Sequence, residues 1–395
     1  MDAYPAPRLP AELSDAIIDY LRADKYALRA CSLVCRNWLP RARYRKFETV
    51  ALDTGNCGNL LALLERTPDI ATFPKDVTLR AHRQPLGCVR RPGVSQKTLA
   101  TIVSLFPSVE ILHFVGIEVH PAFAAVFRHR CARLHTLDFK QARVRSLGLL
   151  FELLAVLPSL RTVRYFCLQF SGWQDVPIRA EDMDIAGPHQ ASLAELVCEG
   201  RNHDDPVTVP LLRWLVARRL HAGLRALALP NIARDDDRAI LIELLRETGP
   251  NLRGLALGFA QQVHFGSDRA LAAALARCTG VRALALTEIT LLRPNKWVVG
   301  LLRDALATQA VEQLTLRYHA DGADGDCVRW FVDWRGLVQT LPDTRRFPAL
   351  RLVTFSFRNA PRDIEEAICV WAEPLWKALH NNGVRMQILH LRAAC

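Results

Sequence analysis

The sequence predicts an α/β protein in which a short N-terminal group of helices precedes a long array of parallel strands backed by helices. Residues 9–47 carry apolar side chains at helical spacing. From residue 109 to residue 355 a short apolar motif recurs about every thirty residues, which is the period of a solenoid. The segments between the motifs have helical stripes, and strands that alternate with helices form parallel sheets.

The first helix is predicted to open at Pro10, because proline at the start of a helix loses no hydrogen bond. Its apolar residues recur on one face. They are Leu13, Ala16, Ile17, Tyr20 and Leu21.

Asp24 is the expected N-cap of a second helix. The apolar stripe of that helix is Leu28, Cys31, Cys35 and Trp38. Pro40 then ends this helix or opens a third one, in which Tyr44 and Phe47 are expected to face inward. Three helices of this length make a small core. From periodicity alone, they either dock on a partner or cap the domain behind them.

Residues 8–48 resemble an F-box, specifically the basidiomycete type. The resemblance rests on the opening Leu9-Pro10-Ala11-Glu12-Leu13 and on a centre that runs from Cys31-Ser32-Leu33-Val34-Cys35 to Trp38. It implies that the three helices dock on the Skp linker protein of an SCF ubiquitin ligase. The remainder of such a chain captures a protein substrate. The expected domains are therefore an F-box at 5–50 and a substrate-recognition array at 51–395.

The resemblance also implies which residues bind Skp or build the F-box core, without separating the two roles. These residues are Leu9, Pro10, Leu13, Ile17, Leu21, Leu28, Cys31, Val34, Cys35 and Trp38.

Behind the helices, nine copies of a Leu-x-x-Leu-x-Leu motif follow one another at intervals of 25 to 39 residues. The copies begin at Val109, Leu134, Leu160, Leu193, Leu224, Leu252, Val281, Val311 and Leu350. This motif is that of a leucine-rich repeat. A closing strand is expected at Met386–Leu391.

Apolar stripes between the motifs predict helices, for example Ile240, Leu241, Leu244 and Leu245 within 237–246. Similar stripes cover 271–275, 296–306 and 328–341.

The array lacks the asparagine or cysteine that commonly follows the strand in leucine-rich repeats. The corresponding positions are Ile117, Ala142, Leu168, Arg201, Ile232, Ala260, Ile289, His319 and Arg358. The repeats therefore resemble the irregular, leucine-rich-repeat-like solenoids behind fungal F-boxes. An α/β domain with a mixed sheet stays open as an alternative.

Composition favours an intracellular interaction protein. Half of the 395 residues are apolar and 23% are charged, as in ordinary folded proteins. The sequence shows no apolar run long enough to span a membrane and no secretory signal. Its eleven scattered cysteines suit reduced, buried thiols in the cytoplasm or nucleus.

The sequence contains no recognisable nucleophile elbow, phosphate-binding loop, dinucleotide motif or zinc-binding helix. We therefore expect no catalytic site, no metal site and no cofactor, and a role as a non-catalytic adaptor. Cys31 and Cys35 have no second ligand pair in the sequence, which favours packing over metal binding.

The net charge is +11 and the pI is near 9.3. One basic stretch could bind a partner: Arg128, Arg130, Arg133, Lys140, Arg143 and Arg145. It is either a solvated surface or a face that attracts an acidic protein. Nucleic acid is not expected, because no aromatic residues alternate with the charges.

The sequence thus predicts an SCF substrate receptor with an unknown protein target. The alternative is a basic solenoid that binds nucleic acid or an acidic protein independently of a ubiquitin ligase.

Overall fold

The computed structural model describes residues 9–53, 55–81, 96–170, 192–199, 207–229, 232, 235–258, 269–292, 294–305, 310–320, 323, 325–358 and 362–391. The chain divides into two compact units. The first is formed by residues up to Leu160 with two short later segments, and the second by most of the chain from Arg161 onward.

The first unit begins with three helices, α1 (Ala11–Tyr20), α2 (Lys25–Val34) and α3 (Trp38–Glu48). Helix α1 follows Pro10, as the sequence predicts. The carboxylate of Asp24 accepts hydrogen bonds from the backbone N–H groups of Tyr26 and Ala27 at 2.9 and 3.0 Å, which confirms the predicted N-cap.

The end of α2 differs from the prediction. The helix ends at Val34, because Cys35 has extended backbone angles. Cys35 therefore does not continue the helical stripe of Leu28 and Cys31. Helix α3 begins at Trp38, so Pro40 lies in its first turn, where a proline costs no intrahelical hydrogen bond.

A parallel sheet follows in the first unit. Its strands are β1 (Thr49–Leu52), β2 (Asp76–Arg80), β3 (Ile111–Val115) and β5 (Thr136–Lys140), paired in that order. The predicted boundary between residues 50 and 51 falls inside β1. The helices of this unit behind the sheet are α4 (Cys57–Arg66), α5 (Gln96–Ser104), α6 (Ala122–Arg130) and α7 (Leu147–Ala155).

Four of the repeats use a left-handed turn where the sequence offers no asparagine. Gly116, Gln141, Cys167 and Glu288 occupy the same position in the motifs that begin at Val109, Leu134, Leu160 and Val281, and all have a φ between 51° and 66°. The turns at Gly116, Gln141 and Cys167 each lead into a two-residue strand. These strands, β4 (Glu118–Val119), β6 (Arg143–Val144) and β8 (Gln169–Phe170), form a small parallel sheet.

Five of the nine positions that lack asparagine are instead apolar and buried, whereas His319 and Arg358 are polar and half-buried. Ile117, Ala142 and Leu168 are at most 7% exposed, and Ile232 and Ile289 are equally buried. Their burial replaces the usual side-chain hydrogen bond to the turn. Arg201 and Ala260 lie outside the described residues.

The second unit contains the remaining strands, all in parallel pairs. They are β7 (Thr162–Phe166), β9 (Glu195–Glu199), β10 (Ala226–Leu229), β11 (Gly254–Gly258), β12 (Ala283–Thr290), β13 (Gln313–His319), β14 (Leu352–Arg358) and β15 (Arg385–Leu391). Every strand predicted from the motif is present, and the closing strand pairs with β14. The α/β solenoid is confirmed, and the described pairings leave no mixed sheet.

The helices of the second unit are Thr208–Ala217, Asp235–Thr248, Arg269–Leu275, Lys296–Gly300, Gly325–Phe331, Trp334–Thr340, Arg362–Trp371 and Glu373–Asn381. The four residues predicted to line the helix over 237–246 are buried. The stripe over 328–341 does not form one helix. Asp333 interrupts it and caps the second piece by accepting a hydrogen bond from the Gly336 N–H at 2.9 Å. Among the described residues, no helix is both long and apolar enough to cross a membrane.

Candidate functional site

Helix α1 presents apolar side chains to solvent. Leu13 is 53% exposed, Ile17 is 44% exposed and Leu9, just before the helix, is 48% exposed. Pro10 is exposed as well. The opposite side of α1 carries Ile18, which is fully buried. The helix therefore uses one face for the core and leaves a second apolar face that the described residues do not cover.

A second exposed apolar group lies at the end of α2. Leu33 and Val34 are 80% and 62% exposed, and Cys35 directly after them is exposed. The extended conformation of Cys35 ends the helix, so these side chains lie where the chain turns toward α3.

The interior of the three helices is small. Ile18, Leu28 and Ala42 are fully buried and Cys31 is 7% exposed, while Leu21 and Trp38 pack against them half-buried. The ten residues implied by the family resemblance thus separate into two sets. Four build the core: Leu21, Leu28, Cys31 and Trp38. Six are exposed: Leu9, Pro10, Leu13, Ile17, Val34 and Cys35.

Ion pairs hold α1 against α3 despite the small core. The carboxylate of Asp19 accepts hydrogen bonds from the guanidinium groups of Arg41 and Arg45, with Arg45 Nε at 2.6 Å. These hydrogen bonds hold the pKa of Asp19 well below its ordinary value. Arg45 also binds Glu48 at 2.8 Å. The exposed apolar residues of α1 therefore lie on a helix whose position against α3 is stabilised by a charged network.

Sequence reasoning did not assign three further exposed side chains of these helices to a binding role. Tyr20 and Tyr26 are 89% and 87% exposed, and Leu33 is nearly as open. Apolar spacing assigns Tyr20 to the same stripe as Leu13, but it gives no measure of exposure. Exposed apolar clusters of this kind mark interaction sites in soluble proteins, since water does not favour them.

The basic stretch at 128–145 is divided by the fold. Arg128 and Arg130 lie in the last turn of α6, and Arg133 follows in the turn that leads to β5. Lys140 lies at the other end of β5, with Arg143 and Arg145 beyond it. A five-residue strand is about 16 Å long. The six cations therefore form two groups at opposite ends of β5 rather than one patch.

Several of these cations already have partners within the chain. Arg128 pairs with Glu152 at 3.6 Å, Lys140 with Asp138 at 3.0 Å and Arg145 with Glu118 at 3.0 Å. Arg130 and Arg133 are exposed. Pairing lowers the attraction that this stretch exerts on an outside anion.

One charged cluster lies on the sheet of the first unit. His113 on β3 contacts Asp138 on β5 at 2.8 Å and Asp76 on β2 at 3.4 Å. The hydrogen bond to Asp138 and the contact with Asp76 raise the pKa of His113 to about 9. Among the described residues, no group of three or more His, Cys, Asp or Glu side chains is arranged to hold a metal ion.

Comparisons with known proteins give no family for this chain. No family model and no curated protein matches it. Among solved structures, the complex of Rad7 and Elc1 from yeast aligns over 87% of this chain and 88% of the other, with 11% identity and a TM-score of 0.39. The complex of TLR13 with ssRNA13 aligns over 81% of this chain and 55% of the other, with 11% identity and a TM-score of 0.24.

Proposed function

We propose that this protein is the substrate-receptor subunit of an SCF-type ubiquitin ligase. Its N-terminal helices dock on a Skp linker protein, and its repeat array binds a protein target. The observation that carries the proposal is the exposure of four apolar side chains, Leu9, Leu13, Ile17 and Val34, on the segment that resembles an F-box.

The division between core and surface supports docking over capping. If the helices only capped the repeat array, the apolar face of α1 would be buried against that array. Leu13 and Ile17 are instead about half exposed, while Ile18 beside them is fully buried. A helix pattern with two apolar faces, one inward and one in solvent, is typical of a partner-binding helix.

The proposed role is non-catalytic. In this family the other ligase components transfer ubiquitin, and the receptor contributes affinity. A few central apolar side chains supply most of the free energy in such interfaces. We expect Leu13 and Ile17 to be among them, because both combine a large apolar side chain with exposure on a helix tied to α3 through Asp19.

Co-purification of the full chain with a fungal Skp protein tests the proposal. The wild type should bind with one-to-one stoichiometry, and the double variants Leu13→Glu/Ile17→Glu and Leu9→Ala/Pro10→Ala should lose the complex. Because the four side chains are exposed, both variants should keep the wild-type circular dichroism spectrum and melting temperature.

A matched control places the same charge on apolar surface elsewhere. Trp330 and Val370 are each 65% exposed on helices of the second unit. The variant Trp330→Glu/Val370→Glu should therefore still bind Skp. Failure of the folded wild type to bind Skp, or equal loss in both glutamate variants, would contradict the proposal.

A further inference from the structure

The second unit carries a column of arginines that are far apart in the sequence but lie on neighbouring strands of the sheet. In each repeat, the residue just before the strand lies at the same level of the sheet. In β7, β10, β11, β12 and β14 that residue is an arginine. We call Arg161, Arg225, Arg253, Arg282 and Arg351 the arginine column; Ala194 and Glu312 occupy the equivalent positions before β9 and β13.

Backbone hydrogen bonds fix this register. The carbonyl oxygen of Arg225 accepts the N–H of Arg253 at 2.7 Å, and that of Arg253 accepts the N–H of Arg282 at 2.8 Å. The same bond joins Arg161 to Ala194 and Glu312 to Arg351. Neighbouring strands are about 4.8 Å apart, so the column is roughly 30 Å long.

All five arginines of the column are exposed. Two make contacts within the chain. Arg282 lies 3.8 Å from Glu312 while its side chain remains 62% exposed, and Arg253 donates a 3.4 Å hydrogen bond to the carbonyl oxygen of Gly280. Exposed ion pairs of this length contribute little free energy, so the guanidinium groups stay available to a partner.

The turns beside the column add positive charge. Arg219, Arg246, Arg277 and Arg345 are exposed in the helix ends and turns that lead into β10, β11, β12 and β14. Fewer acidic residues are described here, and each already has a partner. Glu195 pairs with Arg164 at 3.0 Å and Glu312 with Arg282 at 3.8 Å. Glu247 pairs with buried His221, and Asp343 accepts a hydrogen bond from the Arg345 N–H at 3.0 Å. This edge of the sheet therefore has a strong positive excess.

The residues next to the column are small on the three central strands. Ala226, Gly254 and Ala283 directly follow Arg225, Arg253 and Arg282 and begin their strands, whereas Thr162, Glu195, Gln313 and Leu352 occupy the same row on the outer strands. An extended chain could approach the central part of this row closely, because no bulky side chain rises from it. Guanidinium groups bind carboxylates in a bidentate manner, which suits rows of Asp or Glu.

We propose that the arginine column binds an acidic, extended peptide segment. If the proposed function is right, this peptide is the class of substrate that the receptor captures, and that role rests on the proposed function. Binding of the peptide itself needs no Skp protein. Single-stranded nucleic acid is the less suitable occupant. Its binding sites stack bases on aromatic side chains, and no member of the column or of the adjoining row is aromatic.

Fluorescence anisotropy with the full chain tests the proposal. The probe is a labelled Glu-rich peptide of about ten residues, which spans roughly 33 Å when extended. A peptide with Gln in place of Glu and a single-stranded oligothymidylate serve as comparison ligands. The wild type should prefer the Glu peptide, and its affinity should fall with added salt.

Variants then locate the site. Arg225→Gln/Arg253→Gln/Arg282→Gln should weaken binding about tenfold, because exposed ion pairs each supply a factor of about two. The matched control Arg130→Gln/Arg133→Gln/Arg143→Gln removes the same charge from the first unit and should stay within twofold of wild type. The corresponding lysine triple in the column should recover most of the affinity.

Equal weakening by both Gln triples would overturn the proposal, since net charge alone would then explain binding. So would equal affinity for the Glu and Gln peptides. Tighter binding of the oligothymidylate, lost in the column variant, would assign the column to nucleic acid instead. If the Gln triple melts at a lower temperature, single Arg253→Gln and Arg282→Gln variants replace it, each with about twofold loss expected. A chain that binds Skp but not the peptide would refute only this inference.

Discussion

The Nδ1 atom of His113 lies 2.8 Å from Oδ2 of Asp138 on the neighbouring strand. Asp138 is 4% exposed, and its carboxylate also contacts Lys140 at 3.0 Å. Burial opposes its ionisation, yet the hydrogen bonds from His113 and Lys140 leave its pKa lowered. The pair therefore places a protonated imidazole against a buried carboxylate on the sheet of the first unit.

This relationship predicts that stability falls as the pH rises toward 9. The pKa of His113 is raised from 6.5 to about 9, so its contribution is complete below pH 6.5 and is lost as the pH rises through 9. The contribution is at most about 3 kcal/mol. Urea unfolding at several pH values should show that His113→Gln destabilises most at pH 6 and little at pH 9.5.

His129 supplies the control, since it is exposed at the end of α6. The variant His129→Gln should follow the wild type at every pH. A His113→Gln variant whose deficit stays constant from pH 6 to 9.5 would show that the charge of His113 does not stabilise the fold.

Asp19 predicts the opposite pH dependence for the N-terminal helices. Its pKa is lowered mainly by the hydrogen bond from Arg45 and then by that from Arg41. The stabilisation is present above about pH 4, the ordinary pKa of an aspartate, and is lost as the pH falls below it. Asp19→Asn should cost about 1–2 kcal/mol at pH 7, after allowance for its partial exposure.

Asp15 lies on the same helix and is exposed, which makes Asp15→Asn the matched control. Chemical unfolding followed by far-ultraviolet circular dichroism at pH 7 and pH 3 measures both variants. The Asp19 deficit should shrink at pH 3 while the Asp15 variant stays near wild type. Equal deficits would mean that the ion pairs contribute no specific stability.

Core and surface leucines of the N-terminal helices should respond differently to truncation. Leu28 is fully buried, so Leu28→Ala should destabilise the protein by about 2–5 kcal/mol. Leu13 is 53% exposed, and Leu13→Ala should stay within about 0.5 kcal/mol of wild type. Urea titrations of the two variants measure the difference. A large loss in the Leu13 variant would mean that this side chain is part of the core.

The repeat motif predicts the fold well, because each strand buries the same three apolar positions. It fails at β1 and β2, where two buried residues form each strand without the leading leucine: Val50 and Leu52 in β1, and Val77 and Leu79 in β2. These strands are stabilised by hydrogen bonds to neighbouring strands. The apolar pattern of a single segment does not reveal those neighbours. The break at Asp333 was missed for a related reason, since an apolar stripe continues across two short helices.

The candidate docking residues were predicted as a set, but their roles were not. Helical spacing shows that Ile17 and Ile18 face different sides of α1, yet it cannot tell which side meets the core. The arginine column was missed altogether. Arg225 and Arg253 are distant in the chain and become neighbours only through strand register. By contrast, the cations of the basic stretch at 128–145 are close in sequence, but β5 divides them into two groups.

Gly280 gives a test of packing beside the arginine column. A Cβ atom at this position would lie 2.9 Å from the Pro250 carbonyl oxygen and 3.0 Å from that of Leu252. Since both neighbours are backbone, Gly280→Ala should destabilise by about 1–3 kcal/mol. Gly58 in α4 has open space, so Gly58→Ala should be neutral or stabilise by up to about 1 kcal/mol. Thermal unfolding of the two variants measures the difference in stability. An unchanged melting temperature of Gly280→Ala would show that the backbone carbonyl groups of Pro250 and Leu252 do not pack tightly against Gly280.

The reactivity of the Cys35 thiol should report docking. Burial raises the pKa of Cys131 and of Cys278 to about 12, so both thiols should resist alkylation in the native protein. Cys35 and Cys369 are exposed and should react with iodoacetamide within minutes. Added Skp protein should protect Cys35, which directly follows the exposed Leu33 and Val34, and leave Cys369 reactive. Mass spectrometry of the labelled peptides measures each rate. A Cys35 that reacts equally fast in the complex would place the docking surface elsewhere on the three helices.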